Sequence, residues 1–457
     1  MKITISSKLE ISNAPQTFAQ NLREIFTVLN PRWIENEKMS RWNGATVKWL
    51  KFYESRPTGL IIPRGGIGLI LDLARQWGIP ISIIDHRRTL RPVEFAFTGT
   101  LKGYQEKALQ DILRREMGVL EASTGSGKTI TALMAIAARK QPTLIIVHNK
   151  ELLNQWLDRI ETFLGIPRAV IGVIGGGKKR IGERITVGII NSVYPIAAEI
   201  RERFGHLVID ECHRCPSRTF TEAVTAFDCR YMLGLSATPY RRDGLTKLIE
   251  WHLGRKIVVR ASGMTSADIV LNVDVVTRET AFNSDLDASQ EYSRMLSDLT
   301  ADHGRNALIA ADVAREATNG GGICLVLSDR KEHCGALSDI LRGRGIPSDV
   351  LTGGVCDTER KAIVERLQAG ETKVLIATGQ LIGEGFDCRE LQTLFLATPI
   401  KFEGRLIQYL GRILRPAPGK DRATVYDYVD TNVGVLVASA RARARVYATR
   451  SHDEGGL

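Results

Sequence analysis

The stretch EASTGSGKTITAL, residues 121–133, restricts the fold more than any other part of the chain. It follows an apolar, β-type run and opens a stretch with helical patterning, the context a phosphate-binding loop requires. Gly125 and Gly127 carry no Cβ, so the backbone N–H groups of Thr124, Gly125, Ser126 and Gly127 can close on phosphate oxygens. A helix N-terminus adds a favourable dipole at the same point. Lys128 is placed to bridge the β- and γ-phosphates of ATP, and Thr129 to ligate Mg²⁺. The first position of the common G-x-x-x-x-G-K-T pattern holds Ala122 instead of glycine. The runs GVLEAS, TLIIVH, ITVGII, HLVID and YMLGLS are apolar throughout and alternate with helical stretches. Runs of that kind suit parallel strands buried on both faces, so the expected class is α/β.

A loop of this type needs a carboxylate site on a nearby strand, and HLVIDECHRCPS, residues 206–217, offers two readings. Cys212, His213 and Cys215 could suggest a metal knuckle. They supply at most three ligands within four residues, and no second C-x-x-C or H-x₃-H pair completes a site, so no structural zinc is expected. In the other reading Leu207, Val208 and Ile209 form a strand that Asp210 ends. Asp210 then holds Mg²⁺, and Glu211 orients and deprotonates the attacking water. Cys212 and Cys215 become small buried residues.

The chain has 457 residues, enough for two to four domains. No apolar run approaches the ~18 residues of a membrane helix, and the N-terminus has no apolar signal core. Seven cysteines scattered along the chain suggest reduced thiols in a cytosol. With 62 Lys and Arg against 51 Asp and Glu, the net charge of +11 favours a polyanionic partner. Residues 1–97 read as a small α/β domain and 98–262 as a first α/β lobe. Residues 263–320 read as a helical connector, 321–440 as a second α/β lobe and 441–457 as a basic tail, a helix that frays into a flexible end.

The order AxxGxGKT, DECH and SAT resembles the helicases of superfamily two. LKGYQEKAL, with Gln105 23 residues before Lys128, VHNKELLNQW, VLIATGQLIGEGFD and QYLGRILRP extend the resemblance over residues 100–430. GLSATPYRRDG, IKFEGRLIQYLGRILRPAPGK and the IIPRGG segment ahead of the loop are most similar to the XPB and UvsW type. DECH and QYLGRILR depart from the DEAD and HRIGRTGR of DEAD-box proteins.

The resemblance implies two RecA-like lobes and a set of roles. Gln105 would read adenine. Arg412 and Arg415 would be arginine fingers, and with Gln408 they sit at i, i+4 and i+7 on one helical face. Gln408 is grouped with them and with the coupling residues Ser236 and Thr238. Gly385 and Asp387 would face the nucleotide. Asn149, Gly175, Gly176, Ser328, Thr352 and Thr378 would contact a nucleic-acid backbone. By the same resemblance the N-terminal domain, residues 1–97, would engage duplex or branched DNA beside the motor, and Arg64, Arg87, Arg88 and Arg91 are its candidates for phosphate contacts. Trp33, Trp42, Trp49, Phe52 and Tyr53, interleaved with cations, fit either stacking on bases or an ordinary core. The implied activity is that of an ATP-dependent DNA helicase or translocase on single-stranded and branched duplex DNA, moving 3′ to 5′. A motor subunit of a restriction or defence complex and an RNA remodeller are the alternatives, and no protein partner is identified.

Overall fold

The computed structural model describes residues 1–122, 125–214, 218–237, 245–258, 272–287, 291–320, 322–379, 388, 390–400, 406, 409–411, 413, 420 and 422–451. The chain divides into two compact units, Met1–Met264 and Thr265–Leu457.

The first unit opens with a five-stranded sheet in the order Glu54–Arg56, Gly59–Pro63, Lys8–Ser12, Lys2–Ile5, Ser82–Asp85. Only the last pair among these neighbours is parallel. Side chains alternate along a strand, so Ile3, Ile5, Leu9, Ile11, Leu60 and Ile62 face one side. Helices Gln16–Ile25 and Ile67–Gln76 cover that side with Phe18, Leu22, Ile70 and Ala74. Leu248 and Trp251, from helix Lys247–Leu253, complete the same core. The Trp251 ring lies 4.8 Å from that of Phe26. A Cβ at Gly65 would stand 2.5 Å from the Glu250 carbonyl oxygen, which explains glycine in the IIPRGG segment. Residues 1–97 therefore share a core with helix Lys247–Leu253 of the first lobe.

An eight-stranded sheet comes next, ordered Lys178–Arg180, Gly172–Gly175, Ile185–Ile189, Thr143–Val147, His206–Ile209, Tyr231–Ser236, Met117–Glu121, Lys256–Val258. Its central strands are parallel and buried along their whole length, as a sheet covered on both faces demands. The far edge is an antiparallel hairpin, and its outer strand is fully exposed.

The second unit is built on six parallel strands, ordered Asn272–Thr280, Arg422–Asp430, Leu391–Leu396, Ile323–Ser328, Val374–Thr378, Ser348–Leu351. The 263–320 segment is thus not simply a helical connector. Its strand Asn272–Thr280 forms the sheet edge, and helices Tyr292–Ala301 and His303–Asn319 come after it. Arg305, on the second of these helices, pairs with Asp430 at 2.8 Å, both side chains 1% exposed. Thr280 donates to the same carboxylate. The basic tail read as helical does carry a helix, but not all of its arginines are surface charges. Gly434–Ser451 is one helix, and its Arg443 is buried against Asp427 with contacts of 2.6–3.0 Å. Among the described residues no helix is long and apolar enough to cross a membrane.

Candidate functional site

Strands Thr143–Val147, His206–Ile209, Tyr231–Ser236 and Met117–Glu121 are neighbours and parallel, so their C-terminal ends share one edge of the sheet. That edge is where open α/β sheets bind ligands. The loop after Glu121 turns through Gly125 and Gly127, at φ of 84° and 79°, and Lys128 starts helix Lys128–Arg139. Lys128 Nζ donates to the Ala122 carbonyl at 2.8 Å, and Thr129 is the next helical residue. Gln105 is buried and braces the loop. Its Nε2 donates to the Ser126 carbonyl at 2.9 Å, Tyr104 Oη donates to the same oxygen, and Gln105 Oε1 accepts from Lys102 N–H. A Cβ at Gly127 would stand 2.2 Å from Gln105 Nε2, so the glycine is needed for contact as well as for its positive φ.

Asp210 follows strand His206–Ile209 and is almost fully buried. Burial, and next the adjacent Glu211 carboxylate, push its carboxyl above the ordinary carboxylate range, while Lys128 acts in the opposite direction. Trp156 Nε1 donates to Asp210 Oδ2 and Glu211 N–H to Oδ1, each at 2.9 Å. Glu211 sits at φ 49°, a conformation costing a side-chain-bearing residue about 1 kcal/mol or more. The Asp210 contact and His148 Nε2, 3.3 Å from the Glu211 carbonyl, hold it there. Backbone strain of this kind concentrates at functional positions. His213 Nδ1 lies 3.2 Å from Glu211 Oε2 and 3.1 Å from Ser236 Oγ, so it links the carboxylate to the end of the neighbouring strand. Cys212 is fully buried among apolar side chains. Lys128, Asp210, Glu211 and Ser236 are brought together; Thr124, Cys215 and Thr238 lie outside the described residues.

Asn149 caps helix Lys150–Leu164 by accepting from Leu152 N–H at 2.8 Å, at the end of strand Thr143–Val147. Gly175 is buried, whereas Gly176 is exposed in the hairpin turn at φ 59°. In the second unit, Ser328 and Thr378 end paired strands, and Thr352 follows the next one. Ser328 is corrected as a direct phosphate contact, because its side chain is buried and engaged. Its Oγ accepts from Arg330 N–H at 3.1 Å and stands 2.9 Å from His333 Nδ1. Burial holds His333 down at about 3, so the ring is neutral, and its Nε2 faces Asn306 Oδ1 at 2.8 Å. Gly385, Asp387, Gln408, Arg412 and Arg415 lie outside the described residues.

Of the four N-terminal arginines, Arg64, Arg87 and Arg88 are corrected as phosphate contacts, while Arg91 is exposed. Arg64 is buried, donates to the Cys229 carbonyl at 2.8 Å and touches Met232. Arg87 is 6% exposed between Asp85 and Glu116, and Arg88 pairs with Asp228 at 3.0 Å. Trp156 was missed. The apolar face Leu152, Leu153, Trp156, Leu157 and Ile160 reads as core, and nothing in its spacing says that the indole N–H aims at Asp210.

Residues 98–241 match the family described as type III restriction enzyme, res subunit, and residues 305–417 match the helicase conserved C-terminal domain. The chain is 28% identical over 382 residues to the probable helicase D10 of Escherichia phage T5, covering 82% of this chain and 81% of that one. It is 37% identical over 162 residues to the DNA 3′-5′ translocase XPB2 of Sulfurisphaera tokodaii, covering 35% and 36% of the two chains. S. cerevisiae Dbp5 bound to RNA and ADP BeF3 shares the fold at a TM-score of 0.55 and 14% identity, over 77% of this chain and 88% of that one. With a phosphate loop, a DECH strand and two RecA-like lobes, the chain belongs to the superfamily two helicases, on the XPB-like side of that group, and is a nucleic-acid-dependent ATPase.

Proposed function

We propose that the chain is an ATP-dependent DNA helicase or translocase that opens or remodels branched DNA, moving 3′ to 5′. The observation that carries the chemistry is the buried Asp210 beside the partly exposed Glu211, on the strand edge shared with Lys128. Lys128 leaves the Ala122 carbonyl to meet the β- and γ-phosphates of ATP. Glu211 takes a proton from the attacking water, with His148 and Asp210 fixing its backbone. Thr129 and Asp210 offer hard oxygen donors, and the buried Asp210 carboxyl stands beside a second carboxylate, so the residues fit Mg²⁺. Bound there, Mg²⁺ supplies charge neutralisation at the transferring phosphoryl group. The contact of His213 with both Glu211 and Ser236 supports a coupling role for Ser236. By resemblance, Arg412 and Arg415 act as arginine fingers, Gln408 and Thr238 join the coupling set, and Gly385 and Asp387 face the nucleotide. Asn149, Gly176, Thr352 and Thr378 follow the nucleic-acid backbone, which carries no sequence information.

The DNA assignment draws on the likeness to XPB2. Strand displacement on forked duplexes with a 3′ tail, a 5′ tail or both tests it. ATP-dependent opening of 3′-tailed and forked DNA is the expected result. Opening of RNA duplexes alone, or of 5′-tailed DNA alone, contradicts it.

A further inference from the structure

Residues 27–51 stand apart from the rest of the first unit. Strands Thr27–Leu29 and Trp49–Lys51 pair antiparallel, with Leu29 opposite Trp49, and helix Pro31–Lys38 lies between them in sequence. Four apolar side chains here face solvent: Met39 is 48% exposed, Trp42 83%, Val47 64% and Trp49 53%. A tryptophan exposed to that degree is unusual, since large aromatics bury most of their surface.

The loop that carries Trp42 is held in place. Asn36 Nδ2 donates to Asn43 Oδ1 at 3.0 Å, Asn43 Nδ2 to the Trp33 carbonyl at 3.2 Å, and Arg41 N–H to the Asn36 carbonyl at 2.8 Å. Asn30 Nδ2 ties the return strand through the Val47 carbonyl at 2.8 Å. The Trp42 ring lies so close over Gly44 that a Cβ there would stand 1.9 Å from it. One face of the indole is laid on backbone and the ring is otherwise open. On the strand, Trp49 and Lys51 are exposed while Leu50 turns inward, so the two side chains share the outer face.

The charge around these rings is positive and not neutralised. Residues 27–51 hold Arg32, Lys38, Arg41, Lys48 and Lys51 against Glu35 and Glu37. All five cations are exposed, and none has a carboxylate partner among the described residues. Lys48 Nζ sits 5.8 Å from the centre of the Trp33 ring. Open aromatic faces between unpaired cations fit a chain that offers flat rings and phosphates together. Bases within a duplex are already stacked on each other, so only unpaired bases can use the rings.

We infer that residues 27–51 form a binding platform for single-stranded nucleic acid, in which Trp42 and Trp49 stack on unpaired bases and Lys48, Lys51 and Arg41 hold the adjoining phosphates. The inference rests on the nucleic-acid function proposed for the chain and names a site for it that is separate from the nucleotide loop.

The test uses the full chain without nucleotide. Binding of a labelled dT₂₀ strand, a rU₂₀ strand and a blunt duplex is measured for the wild type and for Trp42→Ala, Trp49→Ala, Trp42→Phe and the double alanine variant. Each alanine substitution is expected to weaken dT₂₀ or rU₂₀ binding about 5-fold or more, with Trp42→Phe close to wild type and blunt-duplex binding little changed. Stimulation of ATP hydrolysis by dT₂₀ should then need more strand to reach half its maximum, with basal hydrolysis unchanged. Unaltered strand binding in the double alanine variant overturns the platform. So does an equal loss for strand and duplex, or a wild-type dimer that the substitutions dissociate. A wild type that binds dT₂₀ through these rings yet hydrolyses no ATP supports the platform and sinks the motor reading instead, so the two failures are distinguishable.

Discussion

Two groups of basic residues in the first 97 positions look alike in sequence and differ in the fold. Arg64, Arg87 and Arg88 are turned inward or paired, with Cys229, Asp85, Glu116 and Asp228 as partners. Arg32, Lys38, Arg41, Lys48 and Lys51 have no carboxylate partner among the described residues. The first group fastens the N-terminal sheet to the eight-stranded sheet, and the second leaves its charge to solvent. A net charge says how many cations a chain has. The partners within the fold decide which of them remain available to a polyanion.

The same contrast runs through the rest of the molecule and can be tested from its strongest case downwards. Arg443 forms a buried pair with both carboxylate oxygens of Asp427, and Oδ2 also accepts from Tyr447 Oη at 3.0 Å. Arg443→Ala leaves that carboxylate buried without its cation, and should lower stability by about 3–5 kcal/mol in urea unfolding. A change below that of a surface substitution would break the claim that the C-terminal helix is fastened by charge. Arg64→Ala removes the donor to the Cys229 carbonyl and opens a gap behind Met232. A loss of about 2–3 kcal/mol is expected, with the affinity of the folded protein for DNA unchanged. A selective loss of DNA binding would restore Arg64 as a phosphate contact.

Trp156→Phe keeps an aromatic ring, smaller than the indole, and deletes the N–H that Asp210 accepts. Groups that orient a metal-binding carboxylate are typically worth 10-fold or more, so the Mg²⁺ concentration for half-maximal ATP hydrolysis should rise about 10-fold. An unchanged Mg²⁺ dependence would reduce Trp156 to packing. The smallest effect on stability belongs to Lys48→Ala with Lys51→Ala, about 0.5 kcal/mol or less. The slope of single-strand affinity against salt should nevertheless fall by about 1.4 in magnitude. No change in slope would mean that these lysines are as uninvolved as Arg64.

The parallel strands were legible because burial on both faces leaves continuous apolar runs, and TLIIVH, HLVID, YMLGLS and ICLVLS all fall on central strands. Asn272–Thr280 was not, because NVDVVTRET holds only three apolar residues among charged and polar ones at a half-exposed sheet edge and resembles a polar connector. At the site, Lys128, Asp210 and Glu211 were readable from local spacing around a turn. Gln105 as a brace of the loop, Trp156 on Asp210 and His213 between Glu211 and Ser236 depend on contacts across 21 or more residues. Spacing along the chain carries no trace of such contacts. Ser328 misled for the converse reason, since a hydroxyl at a strand end can turn inward as readily as outward.

Steady-state ATP hydrolysis, with and without single-stranded DNA, for the wild type, Lys128→Ala and Glu211→Gln tests the nucleotide site most directly. The expected result is hydrolysis that DNA stimulates in the wild type and that falls about 100-fold or more in both variants, with Glu211→Gln still binding ATP. Glu211→Gln turnover equal to the wild type would contradict the general-base assignment, and a wild type without DNA-stimulated hydrolysis would contradict the motor.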